Sequence, residues 1–258
     1  MIIMLENYIR TKRKERDILL MTHIVMGYPS FDENRKVVAA MVDAGVELTE
    51  LQIPFSEPTA DGPVIMKAND VALKQGITVA QCIDFAEEIC TTYPDNAFLF
   101  MTYYNIIYMR GVDAFVHKAK EIGMRGIITP DLPPEEGKEY LQACQQHGVE
   151  PIFIFTPTHT EKRLKELSDV CQGFVYCVAR RGVTGQKTDF SAGLQEQLSV
   201  YQRAANLPLA LGFGIREKND VDFLTGKVDI AVIGTQAVRI HEEQGAEAVG
   251  GFLKSLRN

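Results

Sequence analysis

Short apolar runs alternate with longer amphipathic stretches along the whole chain. Leu5 to about Lys14 reads as a short helix. Ile18 to Val25 is almost continuously apolar, the pattern of a strand buried on both faces. Gly27-Tyr28-Pro29-Ser30 turns the chain, and Asp32 to Ala44 then carries helical periodicity up to Gly45. Further strands are predicted at Leu48–Ile53, Ala97–Tyr103, Gly126–Thr129, Pro151–Phe155, Gly173–Val178, Leu207–Leu211 and Asp229–Ile233. Helices are predicted over Val64–Gln75, Val79–Thr91 (with Thr78 as N-cap), Val112–Ile122, Glu135–His147, Thr160–Val170, Gly193–Ala205, Asn219–Thr225 and Gly245–Leu256.

Each predicted strand is followed by a helix, and the crossovers are too long for hairpins. They suit right-handed βαβ units and so parallel strands. Alternation alone also fits a doubly wound open sheet. Eight units within 258 residues favour closure into an α/β fold of the (β/α)8 TIM-barrel type, with the N-terminal helix as a cap. No linker or composition shift divides the chain, so residues 1–258 are expected to form one domain.

In such a barrel the loops after the strands build the working face. The stretch from Glu47 to Pro63 is the most unusual of them. Its strand half carries Glu50 among Leu48, Leu51 and Ile53, and a carboxylate there costs several kcal/mol unless it is hydrogen-bonded or has a job. Its second half is stiffened by Pro54 and Pro58 and carries Asp61 before Gly62-Pro63. The bland readings are a structural carboxylate for Glu50 and a turn-forming aspartate for Asp61. Asp131, before Leu132-Pro133-Pro134, reads as a loop-bracing acid, and His23 as a satisfied core histidine. The glycine-rich turns Gly212-Phe213-Gly214 and Gly234-Thr235 end the last two strands, where barrels commonly hold a phosphate on backbone N–H groups and a helix N-terminus.

Composition narrows the partners. The net charge of −7 argues against nucleic acid, whose phosphates select basic surfaces. The basic run from Arg10 to Arg16 is broken by Glu15 and reads as a solvated face. No apolar run spans a bilayer, and no signal peptide is evident, which points to a cytoplasmic protein. The five cysteines lack paired C-x-x-C spacing, so buried free thiols are expected rather than a metal centre or disulfide framework.

Glu50-Leu51, Pro54-Phe55-Ser56, Pro58, Ala60-Asp61-Gly62-Pro63, Tyr103-Tyr104-Asn105, Pro130-Asp131-Leu132-Pro133, Arg180, Gly182-Val183-Thr184-Gly185 and Gly212-Phe213-Gly214-Ile215 together resemble the tryptophan synthase alpha family over essentially the whole chain. The resemblance implies retro-aldol cleavage of indole-3-glycerol phosphate to indole and glyceraldehyde 3-phosphate. It implies Glu50 as general acid and base, with an apolar strand position expected to raise its pKa. It implies Asp61 as the carboxylate that holds the indole N–H, with Thr184 as its partner on loop closure. Tyr103, Tyr176, Thr184, Gly185, Phe213, Gly214, Gly234 and Thr235 form the implied substrate-binding set. Pro54, Phe55, Glu57 and Pro58 form the implied docking loop for a pyridoxal-phosphate beta subunit in an alpha2beta2 heterotetramer. This chain itself is expected to hold no cofactor and no metal.

The sequence departs from that family's pattern at several places. Gln52 stands where Gly is usual, Glu57 where Asp is usual, and Thr59 where an aliphatic is usual. His23-Ile24-Val25-Met26 replaces the usual Thr-Ala before Gly27, Arg181 adds a charge to the closing loop, and Thr235 replaces Ser. Two other functions remain open on these residues: a weakly catalytic activator of the beta subunit, and a stand-alone indole-producing lyase. The Glu50/Asp61 pair argues against an unrelated phosphate-binding isomerase.

Overall fold

The computed structural model describes residues 4–179, 192–212 and 214–257. Parallel strands form a single sheet: β1 Leu19–Val25, β2 Leu48–Gln52, β3 Ala97–Met101, β4 Gly126–Ile128, β5 Glu150–Ile152, β6 Ile154–Phe155, β7 Val175–Val178, β8 Leu209–Gly212 and β9 Ile230–Ile233. Their order is β5-β4-β3-β2-β1-β9-β8-β7-β6. The two ends of this order are halves of one strand, parted only by Phe153, so the ring closes as a (β/α)8 barrel. The expected continuous strand Pro151–Phe155 is thus interrupted. Pro151 has no N–H to give, and the Phe153 N–H turns aside to Cys171 Sγ at 3.3 Å.

Successive residues of each strand face opposite sides of the sheet. Leu20, Ile24 and Leu51 pack outward against the helices. Leu19, Met21, Leu48, Leu99, Ile128, Ile152, Ala210, Ile230 and Val232 fill the barrel interior. The helix Leu5–Lys12 closes the bottom of that interior with Leu5, Tyr8 and Ile9. Tyr8 donates its hydroxyl hydrogen bond to the Glu47 carbonyl at 3.0 Å, and the Glu6 N–H donates to Glu150 Oε2 at 3.2 Å. Burial pushes the Glu150 carboxyl up to about 7, against the pull of the helix N–H groups.

The helix Val79–Thr92 begins with the expected Thr78 cap, which accepts from the Gln81 N–H while Gln81 Oε1 accepts from Thr78 N–H at 2.9 Å. Two helices were not expected. Tyr104–Met109 folds directly after β3, and both oxygens of Asp131 accept its first free N–H, at 2.9 and 3.2 Å. That is the bracing role read for Asp131 from the sequence. Thr235–Gln244 is a helix where only a turn was expected. The helix predicted from Glu135 begins at Lys138, because Pro133 and Pro134 hold a turn that takes the Glu136 and Gly137 N–H groups. All five cysteines are free thiols, four of them buried.

Candidate active site

Strand alternation decides which residues reach the top of the barrel. If Leu19 and Met21 face inward on β1, so does His23; if Leu48 does on β2, so do Glu50 and Gln52. His23 lies directly opposite Glu50 across the β1–β2 pair. His23 and Glu50, with Met101, Ile128, Ile154, Tyr176, Val178 and Val232 from the other strands, surround a cavity of about 330 Å³. Asp61 enters from the loop after β2, and Gly234 and Thr235 from the end of β9. The expected acids, Tyr176 and the last glycine turn therefore meet in one chamber.

Tyr103 lies beneath them and reaches Asp61 with its hydroxyl. Gly214 follows β8 at φ +81°, a conformation that suits glycine. Thr235 is the first residue of its helix rather than part of a loop, so the free N–H groups of that helix open beside the cavity. Arg180, Thr184, Gly185 and Phe213 lie outside the described residues.

The polar side chains of the chamber form one chain of contacts. His23 Nδ1 meets Glu50 Oε2 at 2.8 Å, and His23 Nε2 meets Gln52 Oε1 at 2.8 Å. The Gln52 amide N–H donates to Asp61 Oδ2 at 2.7 Å, and the Tyr103 hydroxyl donates to the same oxygen at 3.2 Å. Tyr103 in turn accepts from the Ala60 N–H at 3.1 Å, which fixes the loop that carries Asp61. All five side chains are buried.

Burial raises the pKa of Asp61, while the His23 charge and the hydrogen bonds from Gln52 and Tyr103 pull the other way. Burial alone would favour a neutral His23, but its bond to Glu50, the Glu50 and Asp61 charges and Gln52 together hold its pKa above the ordinary value. The Tyr176 phenol is pushed well up by burial and then by the Glu50 and Asp61 carboxylates. Among the described residues, Glu50 Oε1 is buried and no donor meets it in hydrogen-bond geometry. An orphaned carboxylate oxygen on a cavity wall is costly in a finished protein and is what a substrate-facing acid and base needs.

His23 and Gln52 correct the sequence expectation. His23 is satisfied, as expected of a core histidine, but it lines the cavity and touches the acid. The two-residue alternation that placed Glu50 inward also placed Gln52 and His23 there. His159 and Thr156, from the loop after β6, were also missed; the His159 ring accepts from the Thr156 N–H and its pKa is lowered by burial and by Arg163.

The docking loop is pinned to the scaffold. The Phe55 N–H donates to the buried Asn69 Oδ1 at 2.8 Å, and the Phe55 ring stacks on Tyr103 with centroids 4.7 Å apart. Pro54 and Pro58 are buried within the loop, while Glu57 is exposed. Phe55, Pro58, Met66 and Leu73 border an open groove on this side of the barrel.

Comparison with known proteins gives a single family. The family model described as tryptophan synthase alpha chain matches residues 9–254. A tryptophan synthase alpha chain of Syntrophotalea carbinolica is 55% identical over 254 residues, covering 98% of this chain and 100% of that one. The fold superposes on a Mycobacterium tuberculosis tryptophan synthase structure with a TM-score of 0.90 at 27% identity, covering 98% and 96% of the two chains. It superposes on a chain of the Pyrococcus furiosus tryptophan synthase a2b2 complex with a TM-score of 0.85 at 30% identity, covering 92% and 97%. The chain therefore belongs to the tryptophan synthase alpha chain family, the lyases that cleave indole-3-glycerol phosphate in tryptophan biosynthesis.

Proposed function

We propose that Glu50 and Asp61 carry out this cleavage, with Glu50 Oε1 as the group that moves the proton. The observation that carries the assignment is that orphaned oxygen, buried on the wall of a chamber whose opposite carboxylate is held by two donors. Glu50 in its acid form gives a proton to indole C3. The resulting ring cation is an electron sink. The carboxylate then takes the proton of the adjacent side-chain hydroxyl as the carbon–carbon bond breaks. The bond's electron pair returns to the ring, the hydroxyl oxygen becomes the aldehyde oxygen, and Glu50 ends protonated as it began.

Among the described residues both donors on Asp61 fall on Oδ2. Oδ1 is then the oxygen that receives the indole N–H and steadies the positive charge on the ring. Met101, Ile128, Ile154 and Val232 offer the apolar walls for the indole, with Tyr176 as a polar edge. Phe213 is assigned to the indole as well, and Tyr103 acts through its bond to Asp61. The phosphate is assigned to Gly185, Gly214, Gly234 and Thr235, supported by the N-terminus of the helix Thr235–Gln244. Thr184 is assigned to Asp61 on closure.

The assembly is an alpha2beta2 heterotetramer in which the beta partner holds pyridoxal phosphate and this chain holds no cofactor. The groove beside Phe55 and Pro58, with Met66 in its wall at 45% exposure, supports docking on this side. Glu57 offers a charge at its rim.

The test is indole release from indole-3-glycerol phosphate, by the isolated chain and with a tryptophan synthase beta subunit. Turnover in both, enhanced by the partner and reduced about a hundredfold or more in Asp61→Asn, is the expected result. Absence of turnover in either, with beta activity still stimulated, would leave the activator reading. Full turnover that the partner does not change would leave the stand-alone lyase.

A further inference from the structure

Building on that reading of Glu50, we propose that His23 and Gln52 are positioning residues for the reaction, which hold Glu50 by one oxygen and tie it to Asp61 as a single unit. The argument begins with the amide. Gln52 stands between an imidazole nitrogen at 2.8 Å and a carboxylate oxygen at 2.7 Å. A carboxylate accepts, so the amide N–H side faces Asp61 and the amide oxygen faces His23. His23 Nε2 must then carry a proton to satisfy that oxygen. On the other side of the ring Nδ1 faces a second carboxylate at 2.8 Å. With Glu50 ionised, both ring nitrogens donate, and the ring is an imidazolium held between a carboxylate and an amide oxygen.

This arrangement does three things for Glu50. It occupies Oε2, so only Oε1 can exchange a proton with substrate. It fixes the carboxyl plane, so Oε1 stays on the cavity wall. It also places a positive charge against Oε2 to meet the negative charge that appears whenever Glu50 gives its proton away. The proton balance of the reaction is unchanged, because His23 keeps both of its protons throughout. Gln52 passes the same orientation to Asp61, whose Oδ2 is taken by the amide and by Tyr103. Among the described residues, Glu50, Asp61, Tyr103 and Tyr176 are the titratable groups that face this bridge; Tyr28 and His241 share a small gap on the far side of the ring.

A packing role alone does not explain the choice. The layer below is apolar, built of Leu19, Met21, Leu48 and Leu99, and an apolar side chain at either position would have continued it. Burying an imidazole and an amide instead is favourable only if every polar atom is satisfied, as is the case for both here.

The test uses the full chain with its beta partner, reading kcat, KM and the pH dependence of kcat, with thermal unfolding as a check on folding. His23→Phe is expected to lower kcat roughly tenfold to a hundredfold, the range of a lost charge-assisted hydrogen bond, with KM little changed. It is expected to move the alkaline-side midpoint of the kcat profile, where Glu50 loses its starting proton, to higher pH. His23→Gln, which can still donate to Oε2 but carries no charge, should recover part of kcat and keep the moved midpoint. Gln52→Leu should lower kcat less than His23→Phe does.

Nitrogen NMR of the wild-type chain, labelled at histidine, gives a readout independent of folding of the variants. It should show His23 doubly protonated at pH 7.5. A neutral His23 ring there, or a His23→Gln enzyme with wild-type kcat and an unmoved midpoint, would overturn the proposal. If wild-type chain fails to cleave the substrate, or Glu50→Gln cleaves it normally, the reading of Glu50 fails instead.

Discussion

Gly212 shows how closely the chamber is fitted at the level of single atoms. A Cβ built there would lie 2.6 Å from both Cε1 and the hydroxyl oxygen of Tyr176. That is well inside contact distance, and the ring end of a tyrosine is stiff. Gly212→Ala should therefore push Tyr176 toward the cavity. The expected outcome is a KM several-fold higher in steady-state kinetics, with a stability loss of about 1–3 kcal/mol by urea unfolding. An unchanged KM would mean that Tyr176 does not border the bound substrate. Tyr176 itself entered from the sequence only through the family resemblance, as one of the implied substrate-binding residues. Its dependence on Gly212 was not legible there, because that glycine reads equally well as part of a phosphate turn. The same limit hid His23. A histidine in an apolar strand carries no local mark of its partner, and Glu50 becomes its neighbour only through the pairing of β1 with β2.

Whole elements were easier to read than their ends. The apolar runs located every strand, because most of their residues are buried, and the polar residues within β1 and β2 were too few to hide the pattern. The strand carrying Phe153 broke for a reason that lies outside it, in Cys171. The helix Tyr104–Met109 was missed because its N-terminus is capped by a distant residue, Asp131, rather than by a local one. The cap beneath the barrel gives a prediction at this scale. Glu150 receives the first helical N–H groups of Leu5–Lys12 but is buried among Leu5 and Ile152.

Its carboxyl is raised from 4.5 to about 7 in the folded chain. A raised carboxyl contributes stability that is present below its unfolded pKa and is lost as pH climbs through its folded one. Between about pH 5 and pH 8 the wild type should therefore lose on the order of 2 kcal/mol that Glu150→Gln does not. Thermal unfolding of the two proteins across this range checks it. A constant difference in Tm would show that Glu150 is not held protonated.

At the scale of the molecule, the proposed chemistry and the proposed docking share one loop. Phe55 borders the open groove and stacks on Tyr103, and Tyr103 donates to Asp61. A partner seated against Phe55 would thus be two contacts from the carboxylate proposed to hold the indole ring. The barrel supplies the rigid floor, with β1 and β2 carrying His23, Glu50 and Gln52 on adjacent strands, and the loop after β2 brings the second acid over it.

The central claim is that one oxygen of Glu50 moves the proton that cleaves the substrate. The most direct test is the kcat of Glu50→Gln for indole release in the presence of a beta subunit, with substrate affinity and Tm measured alongside. The account predicts a loss of about a hundredfold or more in kcat, with affinity and Tm near wild type, because an amide keeps the shape and cannot exchange the proton. A Glu50→Gln enzyme that releases indole at the wild-type rate would contradict it.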